Sequence, residues 1–147
     1  MVEFVRLPDV AMVALRACAA GALPRVGKSV VRDGDTIVAL GPDEWLMIAA
    51  DGDADALVAR GKAVCGTDGV AVDVSGNRVR FTLTGKDARA LLARGCALDL
   101  GALGPGDAVS TLVARAQAIV IVTADGYTVL PRRSFAAYFT DWAAAAL

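Results

Sequence analysis

The chain has 147 residues, of which 56% are hydrophobic, with a formal net charge of −1, no histidine and three cysteines. Its length fits one domain with a core of its own. The absent histidine excludes Ser-His-Asp and Cys-His nucleophiles, histidine metal ligands and a histidyl flavin link, while the charge balance excludes a nucleic-acid surface.

The mean hydropathy of +0.53 has two sources to weigh, alanine content, as in Ala143-Ala144-Ala145-Ala146, and an apolar face reserved for a partner. No apolar run approaches the ~20 residues that cross a bilayer. Residues 11–23 resemble a leader core, but Arg16 interrupts them and Glu3 and Asp9 spoil the basic flank. The expected location is the cytoplasm. Cys18, Cys65 and Cys96 form no Cys-x-x-Cys pair and are expected as free, buried thiols.

In chain order, an edge strand is expected around residues 11–15, then strands over 36–40 and 45–49 flanking the Gly41-Pro42 turn. Asp53 caps a helix to about residue 64, with Leu57, Val58 and Val64 inward. Strands over 70–74 and 78–84 flank Ser75-Gly76-Asn77, which has the length and type of a hairpin turn. The alternation from Arg78 to Leu83 predicts one wet face and one dry face. A helix follows over 86–94 with Ala88, Leu91 and Leu92 inward, and Gly95 sits where helices stop in a left-handed conformation. Strands over 110–115, 119–123 and 127–130 come next, the last two joined at Ala124-Asp125-Gly126. The final helix starts near Ser134, with Phe135, Tyr138, Phe139 and Trp142 as one aromatic stripe. Hairpins alternating with helices predict an α+β fold, mostly antiparallel, with helices on one face. A single domain over 1–147 is expected.

No catalytic, cofactor-binding or metal-binding set emerges. Gly104-Pro105-Gly106 has a proline where a phosphate cradle needs an N–H donor, so it reads as a turn. Asp43 and Glu44 lead into a strand and point to opposite faces, which keeps them from converging on one proton. Arg132 and Arg133 precede the last helix, where positive charge opposes the macrodipole. A carboxylate within the domain, one across an interface, or an anion site would each offset this. The candidates for contact with a partner are Trp45, Arg132, Arg133 and Trp142.

An ordered set of strings carries a resemblance: Leu40-Gly41-Pro42-Asp43-Glu44-Trp45-Leu46; Val72-Asp73-Val74-Ser75 with Arg78; Leu83-Thr84-Gly85-Lys86-Asp87-Ala88-Arg89; Leu91 to Leu100; Pro105-Gly106; Thr111-Leu112; and Arg133-Ser134-Phe135-Ala136 with Tyr138 and Trp142. Together they resemble the gamma subunit of heterotetrameric sarcosine oxidase. The resemblance implies a fold similar to part of the folate-binding aminomethyltransferases. It also implies a non-catalytic structural role beside alpha, beta and delta subunits. Those partners would hold NAD, FAD, covalent FMN, zinc and tetrahydrofolate, and the whole would demethylate sarcosine oxidatively and pass the one-carbon unit to tetrahydrofolate. Departures from the family pattern are Leu103-Gly104 before the Pro-Gly turn, Ser110 in place of glutamine, and an alanine-rich end after Trp142. The alternatives are a gamma-like subunit of a related N-methyl amine demethylase and a stand-alone folate-binding domain.

Overall fold

The computed structural model describes residues 1–18, 21 and 23–147. Residues 19, 20 and 22, inside the stretch weighed as a leader core, lie outside the described residues. The elements are β1 (Glu3–Arg6), β2 (Met12–Arg16), β3 (Ser29–Arg32), β4 (Asp35–Gly41), β5 (Glu44–Ile48), α1 (Ala54–Cys65), β6 (Val70–Asp73), β7 (Phe81–Thr84), α2 (Ala88–Ala93), β8 (Ala108–Val113), β9 (Ala116–Thr123), β10 (Gly126–Pro131) and α3 (Ala136–Ala146). Short 3₁₀ turns occupy Leu100–Ala102 and Arg133–Phe135. The α+β, antiparallel expectation holds, and the strands divide between two five-stranded sheets. The chain forms two compact units, Asp9–Gly76 and the combination of Met1–Pro8 with Asn77–Leu147.

In the unit Asp9–Gly76 the strand order is β3-β4-β5-β2-β6, all pairs antiparallel. Pro42 presets the turn between β4 and β5, and a bulge between Ala39 and Gly41 adjusts the register there. Strand β2, expected at an edge, lies between β5 and β6, with Val13 and Leu15 fully buried. The expectation failed because alternation marks a buried face but carries no information on which strands flank it.

Helix α1 starts as its sequence requires, with the Asp53 carboxylate accepting the Ala56 N–H at 2.8 Å. Leu57 is buried, and Val58 and Val64 pack on the same core as Ile37, Trp45 and Met47. Gly61 is also buried: a Cβ there would come within 3.0 Å of Leu15. The bare backbone therefore lets α1 lie close on β2, which offsets the roughly 1 kcal/mol that glycine costs inside a helix. Asp35, at the start of β4, is 2% exposed. It receives both Arg60 Nε (2.7 Å) and Nη2 (3.0 Å) from α1, and the Ala50 N–H at 3.3 Å.

The end of α1 returns beside the end of β2, and Cys18 and Cys65 are joined as a disulfide with their Cα atoms 4.3 Å apart. This corrects the expectation of three free thiols. A separation of 47 residues hides such a pairing until helix and strand are docked. Cys96 is free and buried, as expected.

In the other unit the order is β1-β7-β10-β9-β8. Strand β1 was not foreseen; it pairs with β7, Phe4 opposite Leu83, and its ring stacks on Phe81. The core lies between this sheet and α2 and α3, with Phe81, Leu83, Val120 and Val129 against Leu91, Leu92 and Phe139. The β9–β10 hairpin forms as expected, with Gly126 opposite Thr123 and the loop at Ala124-Asp125.

Ser75-Gly76-Asn77 does not make a hairpin: β6 pairs with β2, whereas β7 pairs with β1 and β10. Ser75 explains the difference locally. Its hydroxyl accepts the Met12 N–H at 3.0 Å and donates to Asp73 at 2.6 Å, which fastens the turn to β2. These bonds, the hydroxyl's first and the Ser75 N–H second, hold the Asp73 carboxyl below its ordinary pKa.

A candidate partner interface

Of the four sequence candidates, Trp45 does not face outward. It is 4% exposed in the core of its unit, and its indole N–H donates to the Pro24 carbonyl at 2.8 Å. A buried tryptophan needs such an acceptor, so this residue fastens the segment before β3 onto the sheet. Arg132 is exposed and bridges to Arg78 through the backbone. Arg133 is half-buried; its N–H donates to Asn77 at 2.8 Å and its guanidinium to the Arg78 carbonyl at 3.4 Å. Trp142 is half-buried on α3, edge-on to Phe139.

The residue behind the two arginines is Arg78. Alternation puts it on the wet face, yet it is 7% exposed. Its guanidinium donates to the Leu130 carbonyl at 2.7 Å and to Gln117 Oε1 at 3.0 Å, and the Gln117 amide donates to Ser110 at 2.6 Å. An arginine tolerates burial when its fork meets acceptors in this way. Ser110, one of the departures from the family pattern, thus ends a polar chain that starts at Arg78.

The aromatic stripe divides. Phe139 is buried, whereas Phe135 and Tyr138 are 41% and 44% exposed and meet edge-on. Phe135 belongs to the 3₁₀ turn preceding α3, whose tighter winding breaks the 3.6-residue phase of the stripe. Residues 110–115, expected as one strand, end at Val113; Ala114 and Arg115 form the two-residue loop between β8 and β9. Both have positive φ, 51° and 68°, as a type I′ turn requires, in positions where Asn-Gly is usual. Alanine and arginine are disfavoured there by about 1–2 kcal/mol each. Two bonds compensate: the Ala114 N–H donates to the Gly95 carbonyl at 2.9 Å, and the Tyr138 hydroxyl donates to the Ala114 carbonyl.

Gly95 is not in a left-handed conformation; α2 ends through Arg94 in the right-handed region. It is glycine because space is short: a Cβ would meet the Trp142 ring at 2.7 Å and the Ala114 nitrogen at 2.9 Å. Gly95→Ala is therefore expected to cost about 2 kcal/mol by overpacking. A urea midpoint equal to that of the parent chain would contradict this reading. The result of these contacts is a surface groove of about 450 Å³ between the end of α2, the β8–β9 turn and α3, lined by Arg94, Arg115, Tyr138 and Trp142 among others.

Asp43 is exposed in the turn between β4 and β5. Glu44 pairs with Arg16 at 3.1 Å, and both side chains are substantially exposed. Among the described residues, no group of three or more His, Cys, Asp or Glu is placed to hold a metal ion. Likewise no helix is long and apolar enough to cross a membrane.

The class follows from the fold. The glycine cleavage system aminomethyltransferase T from Bartonella henselae superposes with a TM-score of 0.73 over 97% of this chain and 45% of its own, at 15% identity. The architecture is thus that of an aminomethyltransferase-like α+β fold.

The particular family follows from sequence. The profile of the sarcosine oxidase, gamma subunit family matches residues 7–147, and the chain belongs to that family. The sarcosine oxidase subunit gamma of Arthrobacter sp is 35% identical over 115 residues, 75% of this chain and 55% of the relative. That of Corynebacterium sp. (strain P-1) is 33% identical over 114 residues, with the same shares covered. The chain spans about half the length of these curated relatives. A chain of the heterotetrameric sarcosine oxidase from Corynebacterium sp. U-96, solved in complex with pyrrole 2-carboxylate, matches with a TM-score of 0.86 and 26% identity, over 99% of this chain and 83% of that one.

Proposed function

We propose that this chain is the non-catalytic gamma subunit of a heterotetrameric, flavin-dependent sarcosine oxidase, working in the cytoplasm. The observation that carries the reading is the match along nearly the whole chain to a subunit-sized piece of such a heterotetramer. The residues agree with it. With no histidine in the chain, its buried polar groups serve internal bonds: Asp35 holds α1 and Arg78 holds β9 and β10. The partners are alpha, beta and delta subunits. FAD, FMN, NAD, zinc and tetrahydrofolate reside in them, and sarcosine is the substrate of the whole.

Co-expression with the flavin-binding and zinc-binding subunits tests this. The tagged chain is expected to elute with a yellow complex of several times its own mass. A colourless monomer under those conditions would sink the proposal. Tetrahydrofolate added to the isolated chain is expected to give neither heat nor a rise in melting temperature; a saturable signal would favour a folate-binding domain instead.

A further inference from the structure

We infer that the groove between α2, the β8–β9 turn and α3 is where a partner subunit docks, through a segment that presents an aspartate or glutamate to Arg115. This rests on the subunit reading above and assigns it a surface. Three observations point to that occupant. The first is charge. Two arginines, Arg94 and Arg115, line the groove, and none of the lining residues carries a carboxylate. Arg94 already donates to the Ala146 carbonyl at the end of α3, which leaves the exposed Arg115 as the cation offered outward.

The second is composition. Tyr138 and Trp142 line the groove, and the exposed Phe135 extends it beside Tyr138. Arginine, tyrosine and tryptophan clustered in a concavity are the residue types that dominate binding energy at protein interfaces. The third is backbone geometry. Arg115 sits at a disfavoured φ of 68° in a turn held from both sides by Gly95 and Tyr138. The fold thus keeps an unfavourable turn rigid and presents a guanidinium at its tip. Such preorganisation lowers the ordering cost of association.

Arg115→Glu and Arg115→Lys separate charge from backbone, since both replacements meet the same positive φ and leave the turn bonds intact. In co-expression with the partner subunits, Arg115→Glu is expected to reduce the complex recovered on the tag at least tenfold, while Arg115→Lys keeps most of it. Both variants should melt within about 2 °C of the parent. Recovery of Arg115→Glu at the parent level overturns the inference and leaves the subunit reading intact. Equal loss with lysine and glutamate also overturns it, because charge would then play no part. A parent chain that fails to assemble at all removes both. Gel filtration of the isolated chain covers the remaining occupant: a dimer abolished by Arg115→Glu would assign the groove to a second copy and overturn the inference.

Discussion

Phe139→Ala is expected to destabilise the chain by about 4 kcal/mol, the largest single effect of those considered. Phe139 is 1% exposed and, with Ala143, is one of the two buried residues of α3. Its ring lies 6.2 Å from Phe81, 6.1 Å from Tyr138 and 6.3 Å from Trp142, centroid to centroid. Phe81 in turn stacks on Phe4 at 4.9 Å, so a run of rings links α3 to β7 and to the edge strand β1. Truncation leaves a cavity that rigid neighbours cannot close, and the cost grows with its residual volume. Chemical denaturation reads the loss as a lower midpoint at unchanged slope. Phe139→Leu, closer in volume, should cost less than half as much. A loss below about 1 kcal/mol for alanine would show that α3 is seated by other contacts. The consequence for function is specific: α3 carries Tyr138 and Trp142 to the groove, so loosening its anchor should also weaken recovery of the assembled complex.

Asp35→Ala ranks second, at about 3 kcal/mol. The carboxylate is buried while the Arg60 side chain is 38% exposed, so Arg60 can rehydrate after the loss and the cost falls at the low end for a buried pair. The backbone N–H of Ala50 loses its acceptor as well. The bond to Asp35 raises the pKa of Arg60 above its ordinary value. Thermal melts of a chain this size should shift down by about 10 °C. Asp35→Asn keeps the shape and one acceptor and should cost about half. Equal melting temperatures for the alanine variant and the parent would mean that the ion pair merely breaks even against its desolvation.

Much of the fold was legible because it is written in local periods. The Asp53 cap, the inward Leu57 and the inward Ala88, Leu91 and Leu92 all follow from helical spacing. The β4–β5 and β9–β10 hairpins follow from Gly-Pro and Asp-Gly turns. The failures share one cause. Sequence pattern reports a residue's phase within its own element and says little about which distant element covers it. Arg78 has the phase of a solvent-facing residue, yet its buried guanidinium donates to the carbonyl of Leu130 and the side-chain amide of Gln117, both distant in the chain. Ser75-Gly76-Asn77 has hairpin chemistry, but Ser75 bonds to Met12, 63 residues away. Gly95 looks like a helix stop and is instead a clearance for Trp142.

Little of the candidate interface is legible in the sequence. Of the four sequence candidates Trp142 lines the groove, whereas Arg132 and Arg133 are not among its lining residues and Trp45 lies in a core. Arg115 had no sequence signal, since Ala114-Arg115 continues a β-like run and neither residue is a usual I′ turn former. The sequence by itself determined the family, through ordered strings from Leu40 to Trp142. It also ruled out histidine chemistry and set the antiparallel α+β class. Tertiary structure alone decided how the strands divide between two sheets, that Cys18 meets Cys65, and that Arg94, Arg115, Tyr138 and Trp142 share one groove. The physical reason is range: turns and helices are set by neighbours a few residues apart, whereas sheet order and surface concavities are set by contacts whose partners are distant in the chain.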